Sequence, residues 1–316
     1  MRTRLWGAGL ALGVYACCTA VAAAAPRMIP VTTHMGRGIT PTNLVIEPDG
    51  TAYVQGESLS KEVLVPEVYA YSPAGALLRK LAIPAGTALE AYGNGQLYVG
   101  GEMSEHIYGV SPQSGAKVSE VGAQDEGFPG NLGIARGLGV GPGGTIYESG
   151  GELTVPEPSD PDSVMPIYPI ETFTSSGAYS GYIEPKTETG LLAVSPGGDI
   201  FGSWTSSNGT GMQGVLSPQG AVLTQFSVFT PHPEVHGGTF SADGSSIYAG
   251  VVLHHGAGGS TFVARLSLSG KVLEKFGSIP IHDAANFWEY DTAAVAANGD
   301  GWTTRAVPGK LYRFHA

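Results

Sequence analysis

Beyond residue 25 the sequence has no cysteine; its only two, Cys17 and Cys18, sit side by side in an N-terminal apolar segment. Disulfide staples and thiolate metal sites are thereby excluded from the rest of the chain, whose stability has to come from its core. Charge is also scarce, at 14% of residues, and cations are scarcer still: Lys+Arg 16 against Asp+Glu 27 gives a net charge of -11. No basic patch is present, which argues against a nucleic acid held through its phosphates. There is no Gly-rich phosphate loop at a strand-to-helix junction, no GxSxG elbow, no HExxH helix and no paired CxxC. After residue 25 no apolar run approaches the ~20 residues of a membrane-spanning helix.

What the chain has in quantity is turn formers, with Gly 48 and Pro 22 among 316 residues. That length and composition suit one large all-β unit over residues 26–316. Residues 1–25 read as a secretory signal: Arg2 and Arg4 supply the positive end, Leu5 to Ala20 the apolar core, and Ala23-Ala24-Ala25 a small-residue cleavage site before Pro26. The expectation is an exported protein, secreted or periplasmic. A lipoprotein acylated at Cys17 or Cys18 is the alternative. Cleavage after Ala25 removes two arginines and leaves a net charge of -13.

The stretch Gly190 to Phe226 shows the organising unit. LLAVS and DIFGSW flank Pro196-Gly197-Gly198, and GVLS and AVLTQF flank Pro218-Gln219-Gly220, which is the pattern of two consecutive β-hairpins. The first turn recurs as Asp49-Gly50, Asn94-Gly95, Gly143-Gly144, Gly197-Gly198, Asp243-Gly244 and Asn298-Gly299, spaced by 45, 49, 54, 46 and 55 residues. Four units carry Tyr at a matching place in the next strand: Tyr53, Tyr98, Tyr147 and Tyr248. Their simplest role is packing between units. Units one to five have a second hairpin; unit six stops after one more strand, KLYRFHA, and its missing fourth strand can come from Met28 to His34. Six four-stranded units at this period predict a six-bladed β-propeller, closed by the N-terminal strand and monomeric because a closed ring leaves no edge to pair.

The repeat of apolar strand, Asp-Gly-type turn, strand with Tyr, loop, strand, Pro/Gly turn and strand resembles the NHL-repeat and SMP-30/gluconolactonase-like six-bladed propellers across residues 27–316. That resemblance implies a divalent metal, Ca²⁺ or Zn²⁺, at the channel mouth, held in the lactonases by one Glu, two Asn and one Asp from different blades. The comparable starts of the inner strands here are Asn43, Thr87, Arg136, Thr189, His236 and Asp291. Asn43 and Asp291 are suitable ligand types, whereas Arg136 puts a cation where the family has a ligand.

Strand alternation sorts the connections onto two faces. Tight Gly turns share one. The long connections share the other: 57–66, 102–106, 152–167, 204–212 and 252–260 within units, and 83–87, 122–135, 183–189, 230–237 and 279–290 between them. Binding residues tend to sit on loops carried by a rigid scaffold, so the long-connection face is where a small molecule, glycan or protein is expected to bind. The candidate constellation is His236, Asp291 and Arg136 with Asn43 and Glu188. His236, Asp291 and Asn43 can hold a metal; His236 with Asp291 can equally act as a general base, and Arg136 can clamp an anion. A ring of polar side chains satisfying one another across the channel is the other reading.

His282 and Trp288, with Phe287 and Tyr290, form an aromatic loop suited either to stacking on a sugar or to packing the last unit. His254-His255 reads as a surface pair in a Gly-rich loop. Glu152 to Pro166, rich in Pro and acid, reads as a loop excursion, not a strand, with Asp160 and Asp162 as weak Ca²⁺ ligands. Asn208-Gly209-Thr210 matches a glycosylation acceptor. Two functions follow: a binding module using the long-connection face, or a metal-dependent, lactonase-like hydrolase or lyase at the channel mouth.

Overall fold

The computed structural model describes residues 28–58, 63–101, 104–122, 137–150, 153–157, 160–185, 188–227, 234–255, 258–281, 292–305 and 309–315. A first short strand, β1 (Ile29–Val31), is followed by blade 1: β2 (Ile39–Ile46), β3 (Ala52–Ser58), β4 (Val63–Tyr71) and β5 (Leu77–Ala82). Blade 2 is β6 (Ala88–Gly93), β7 (Gln96–Gly101), β8 (Ser104–Val110) and β9 (Lys117–Val121). Blade 3 starts with β10 (Gly137–Val140) and β11 (Ile146–Ser149), detours through β12 (Leu153–Glu157) and β13 (Asp160–Ile167), and finishes with β14 (Ile170–Phe173) and β15 (Tyr179–Ile183). Blade 4 is β16 (Thr189–Val194), β17 (Ile200–Thr205), β18 (Gly211–Leu216) and β19 (Val222–Ser227); blade 5 is β20 (Glu234–Phe240), β21 (Ser246–His255), β22 (Gly258–Ser267) and β23 (Val272–Ile281). Blade 6 contains β24 (Ala293–Val295), β25 (Asp300–Arg305) and β26 (Lys310–His315), and its fourth strand is β1, paired antiparallel through Ile29↔Arg313 and Val31↔Leu311. The molecule is a six-bladed β-propeller closed by its N-terminal strand, which is shorter than the seven residues the sequence suggested.

The core is divided into six seams, one between each pair of neighbouring blades. Val45, Tyr53 and Leu81 of blade 1 meet Leu89, Leu97 and Val110 of blade 2, and equivalent buried sets join every other pair. The repeated tyrosines do pack here: Tyr53, Tyr98, Tyr147 and Tyr248 are all buried, each against the following blade. Phe201 and Trp302 take that place in blades 4 and 6. A buried side chain of this size contributes about 1.5–3 kcal/mol, so each seam rests on several such terms.

A second repeated device sets how closely blades approach. The glycine of each third-to-fourth-strand turn has φ of +75° to +90° and lies against the fourth strand of the preceding blade. A Cβ there would sit 3.4 Å from Val31 at Gly75, 2.2 Å from the Ala82 carbonyl oxygen at Gly115, 2.3 Å from that of Glu120 at Gly177, 2.7 Å from Ile183 at Gly220 and 2.6 Å from the Phe226 ring at Gly270. At Gly115, Gly177, Gly220 and Gly270 only glycine fits both the left-handed backbone and the contact, whereas at Gly75 the backbone alone selects it.

Three readings from sequence are corrected. Within the expected excursion, 153–157 and 160–167 are strands: β12 and β13 pair from Leu153↔Ile167 to Pro156↔Val164, with a register shift next to Glu157, because an isolated two-stranded arm tolerates prolines on its open edges. His254 and His255 are not in a loop but end β21, opposite Gly259 and Gly258. Ring closure does not abolish edges either, since the outermost strand of every blade keeps a free outer side.

Candidate functional site

The strand order places the first-to-second and third-to-fourth turns at one end of the ring and the second-to-third and inter-blade connections at the other. At that second end blades 1, 3 and 5 rise higher than the blades between them. The buried residue opening each second strand is paired with a third-strand residue 17 positions later in blade 1 (Tyr53↔Ala70), 25 in blade 3 (Tyr147↔Thr172) and 17 in blade 5 (Tyr248↔Arg265). The intervals are only 11 in blade 2 (Tyr98↔Gly109), 14 in blade 4 (Phe201↔Val215) and 11 in blade 6 (Trp302↔Arg313). Arms on three alternate blades therefore extend this end of the ring.

Beneath them, the inner strands are pinned by buried polar side chains that cross the seams. Gln55 Oε1 accepts from the Leu89 amide at 2.6 Å while its Nε2 donates to the Thr87 and Val65 carbonyls at 3.0 and 2.8 Å. Ser149 Oγ, the equivalent position in blade 3, accepts from the Leu191 amide at 2.9 Å. Gln213 takes both backbone groups of Val235, its Oε1 accepting from the amide at 3.0 Å and its Nε2 donating to the carbonyl at 2.8 Å; Thr304 Oγ1 donates to the Thr42 carbonyl at 3.2 Å. These groups hold the rim of the channel in fixed register. The sequence signal for them is a glutamine within an otherwise apolar strand, as in AYVQG and GMQGVL.

Of the residues singled out from sequence, Asn43, Glu188 and His236 are described, and all three lie at the long-connection end of an inner strand, in blades 1, 4 and 5. Asn43 serves the scaffold: its Oδ1 accepts from Thr42 Oγ1 at 2.8 Å and its Nδ2 donates to the Leu89 carbonyl at 3.3 Å. Glu188 is exposed just before β16. His236 lies in a bulge of β20, where it and Gly237 stand opposite the single residue Gly250 between the pairs Val235↔Val251 and Gly238↔Ala249. A bulge re-aims the extra side chain, and Gly237 supplies the required φ of +96°. The His236 Nε2 comes within 3.5 Å of Glu234 Oε1, an ion-pair contact when the imidazole is protonated and too long for a strong hydrogen bond. Arg136, Asp291, His282 and Trp288 lie outside the described residues. Among the described residues, no group of three or more His, Cys, Asp or Glu is placed to hold a metal ion.

The electrostatics of the face are lopsided. The long connections together carry fifteen acidic residues and two lysines, Lys61 and Lys186. The remainder of residues 26–316 has twelve residues of each sign, and of its cations Arg37, in the β1–β2 connection, and Lys310, at the start of β26, stand at this same end of the ring. On the described part of that face are Glu57 at the end of β3, Glu157, Asp160 and Asp162 in the blade 3 arm, Glu184 and Glu188 before β16, and Glu234. Other basic residues sit away from it: Arg79 and Lys80 on β5, Lys117 on β9, Lys275 on β23 and Arg313 on β26. Arg79 and Arg313 clasp neighbouring blades by donating to the Pro112 and Pro73 carbonyls at 2.9 and 3.0 Å.

No family model matches the chain, and no curated protein matches it. Among solved structures, the chain is similar to one in the crystal structure of a mitotic checkpoint complex, at 13% identity and a TM-score of 0.49, covering 100% of this chain and 99% of that one. A protein of unknown function from Bacteroides caccae is similar at 11% identity and a TM-score of 0.45, over 79% of this chain and 89% of the other. These are likenesses of chain trace only. Among the described residues no helix is long and apolar enough to cross a membrane.

Proposed function

We propose that this propeller is an interaction module whose long-connection face receives a basic partner, a lysine- or arginine-rich polypeptide segment. One observation carries the reading: the segments that form the long connections of units one to five hold fifteen acidic residues and two lysines, while the rest of residues 26–316 has twelve residues of each sign. A net acidic field over a rigid surface raises the local concentration of oppositely charged ligand and speeds its association. The proposal includes export, with residues 1–25 removed and the mature chain starting at Pro26.

The test is the binding of a fluorescent decalysine peptide, followed by anisotropy at 50 and 200 mM NaCl. The account expects salt-sensitive binding that weakens when Glu57, Asp160, Asp162 and Glu188 are changed to their amides or to serine, and that is indifferent to the same treatment of Asp199, Asp243 and Asp300 at the tight-turn end. Equal losses from the two sets would make the attraction non-specific and sink the reading. Elemental analysis of the same preparation tests the lactonase-like alternative: one Ca²⁺ or Zn²⁺ per chain, lost on His236→Ala, would replace the binding module with a metal site built on His236, Asp291 and Asn43.

A further inference from the structure

One tight turn of the ring is built differently from its counterparts. At Asp49-Gly50, Asn208-Gly209, Asp243-Gly244 and Asn298-Gly299 the glycine amide is committed, donating three residues back to the carbonyls of Glu47, Ser206, Ser241 and Ala296 at 2.9, 2.8, 2.8 and 2.9 Å. In blade 2 the cross-strand pair Gly93↔Gln96 leaves only Asn94 and Gly95 between the strands, with φ of +53° and +71°. This is the two-residue type I′ hairpin, whose closing bonds belong to the strand residues on either side. The Gly95 amide therefore faces solvent, and among the described residues it donates to nothing. Both turn residues are exposed, and a Cβ at Gly95 would meet nothing within 4 Å.

The asparagine side chains differ in the same way. Asn208 and Asn298 turn their Oδ1 onto the backbone amides of Thr210 and Asp300, at 3.1 and 3.0 Å. Asn94 is held through its nitrogen instead: Nδ2 donates to the Tyr98 hydroxyl and, across to the first turn of blade 3, to the Gly144 carbonyl, both at 2.9 Å. An asparagine followed by glycine can cyclise, because the next backbone nitrogen can reach Cγ and glycine has no Cβ to obstruct it. That nitrogen must first give up its proton, which a hydrogen bond to a carbonyl opposes.

We propose that Asn94 is the Asn-Gly site at which the folded chain deamidates. The Gly95 nitrogen loses its proton and bonds to Asn94 Cγ, the Cγ–Nδ2 bond breaks, and Nδ2 takes up a proton and leaves as ammonia. Water then opens the cyclic imide to aspartate or isoaspartate; no other reactant is needed. The product carboxylate can still accept from the Tyr98 hydroxyl, but it cannot donate to the Gly144 carbonyl and repels it. Deamidation thus removes a link between blades 2 and 3 and adds a negative charge at the tight-turn end.

Peptide mapping by mass spectrometry, with isoaspartate detection, of the protein held at pH 8 and 37 °C tests the site against two internal controls, Asn208 and Asn298. Freeing a committed amide costs about one hydrogen bond, so Asn94 should convert at least ~5-fold faster than either control in the folded chain. In urea, where the turns are gone, the three rates should converge. Equal or faster conversion at Asn208 or Asn298 in the folded protein, or an Asn94 that converts only in urea, would overturn the assignment. Asn94→Asp, one of the two products, should melt roughly 2–4 °C below the parent chain, and Asn208→Asp, which keeps its acceptor oxygen, should not. An unchanged melting temperature for Asn94→Asp would refute the link to blade 3.

Discussion

Replacing Gly177 by alanine separates two costs that are usually confounded. Gly177 and Gly209 occupy the same place in four-residue turns, each donating its amide three residues back, to Thr174 at 2.9 Å and Ser206 at 2.8 Å, with φ of +88° and +81°. An added Cβ at Gly209 meets nothing within 4 Å, whereas at Gly177 it lands 2.3 Å from the Glu120 carbonyl oxygen, in the seam between blades 2 and 3. Gly209→Ala should therefore cost only the left-handed backbone, about 1–2 kcal/mol. Gly177→Ala adds overpacking of a backbone contact by about 1 Å, a further ~1–3 kcal/mol, because blade 3 must shift off blade 2. At roughly 2–3 °C per kcal/mol for a chain of this size, the melting temperatures should fall by about 2–6 °C and 4–15 °C respectively. Circular dichroism melts of the two variants and of Gly115→Ala, whose Cβ would lie 2.2 Å from the Ala82 carbonyl oxygen, decide the matter. If Gly177→Ala and Gly209→Ala melt within 2 °C of each other, the glycines serve turn geometry alone and the account of blade spacing is wrong.

Other expectations concern closure, latching and pH. Deleting residues 28–31 strips β26 of its outer partner and should expose blade 6 to trypsin at Lys310 and Arg313; an unchanged digestion pattern would show that closure does not depend on β1. Gln213→Leu leaves the buried amide and carbonyl of Val235 without this partner, a loss of about 2–4 kcal/mol that equilibrium urea unfolding should register. Burial pushes the Tyr53 and Tyr69 hydroxyls up to about 12, with Glu47 and Glu67 adding to the shift. The folded chain thus keeps protons that the unfolded chain loses above pH 10, and stability should decline steadily from pH 10 to 12. Ultraviolet titration showing all tyrosines ionising near pH 10 in the folded protein would contradict this.

The ring was legible from turn chemistry. Asp49-Gly50, Asn94-Gly95 and their counterparts announce hairpins locally, and their spacing counts the blades without any knowledge of packing. The closing strand was legible for a related reason, because unit six is visibly one strand short. The blade 3 arm was hidden by Pro156, Pro158, Pro161 and Pro166, which speak against a strand unless it stands alone with open edges. The seam-crossing role of Asn43 was hidden as well: a polar residue at an inner-strand start looks the same whether it faces the channel or holds the neighbouring backbone. Only the register and the contacts to Thr42 and Leu89 distinguish them.

The most direct test of the account is a hydrogen-exchange footprint of the mature chain with and without the decalysine peptide at low salt. The account predicts protection on the long-connection face, at the β12–β13 arm, the far end of β3 and the start of β20, with the tight turns at Gly50, Gly95 and Gly198 unaffected. Protection centred on those turns, or spread evenly over both ends of the ring, would contradict it.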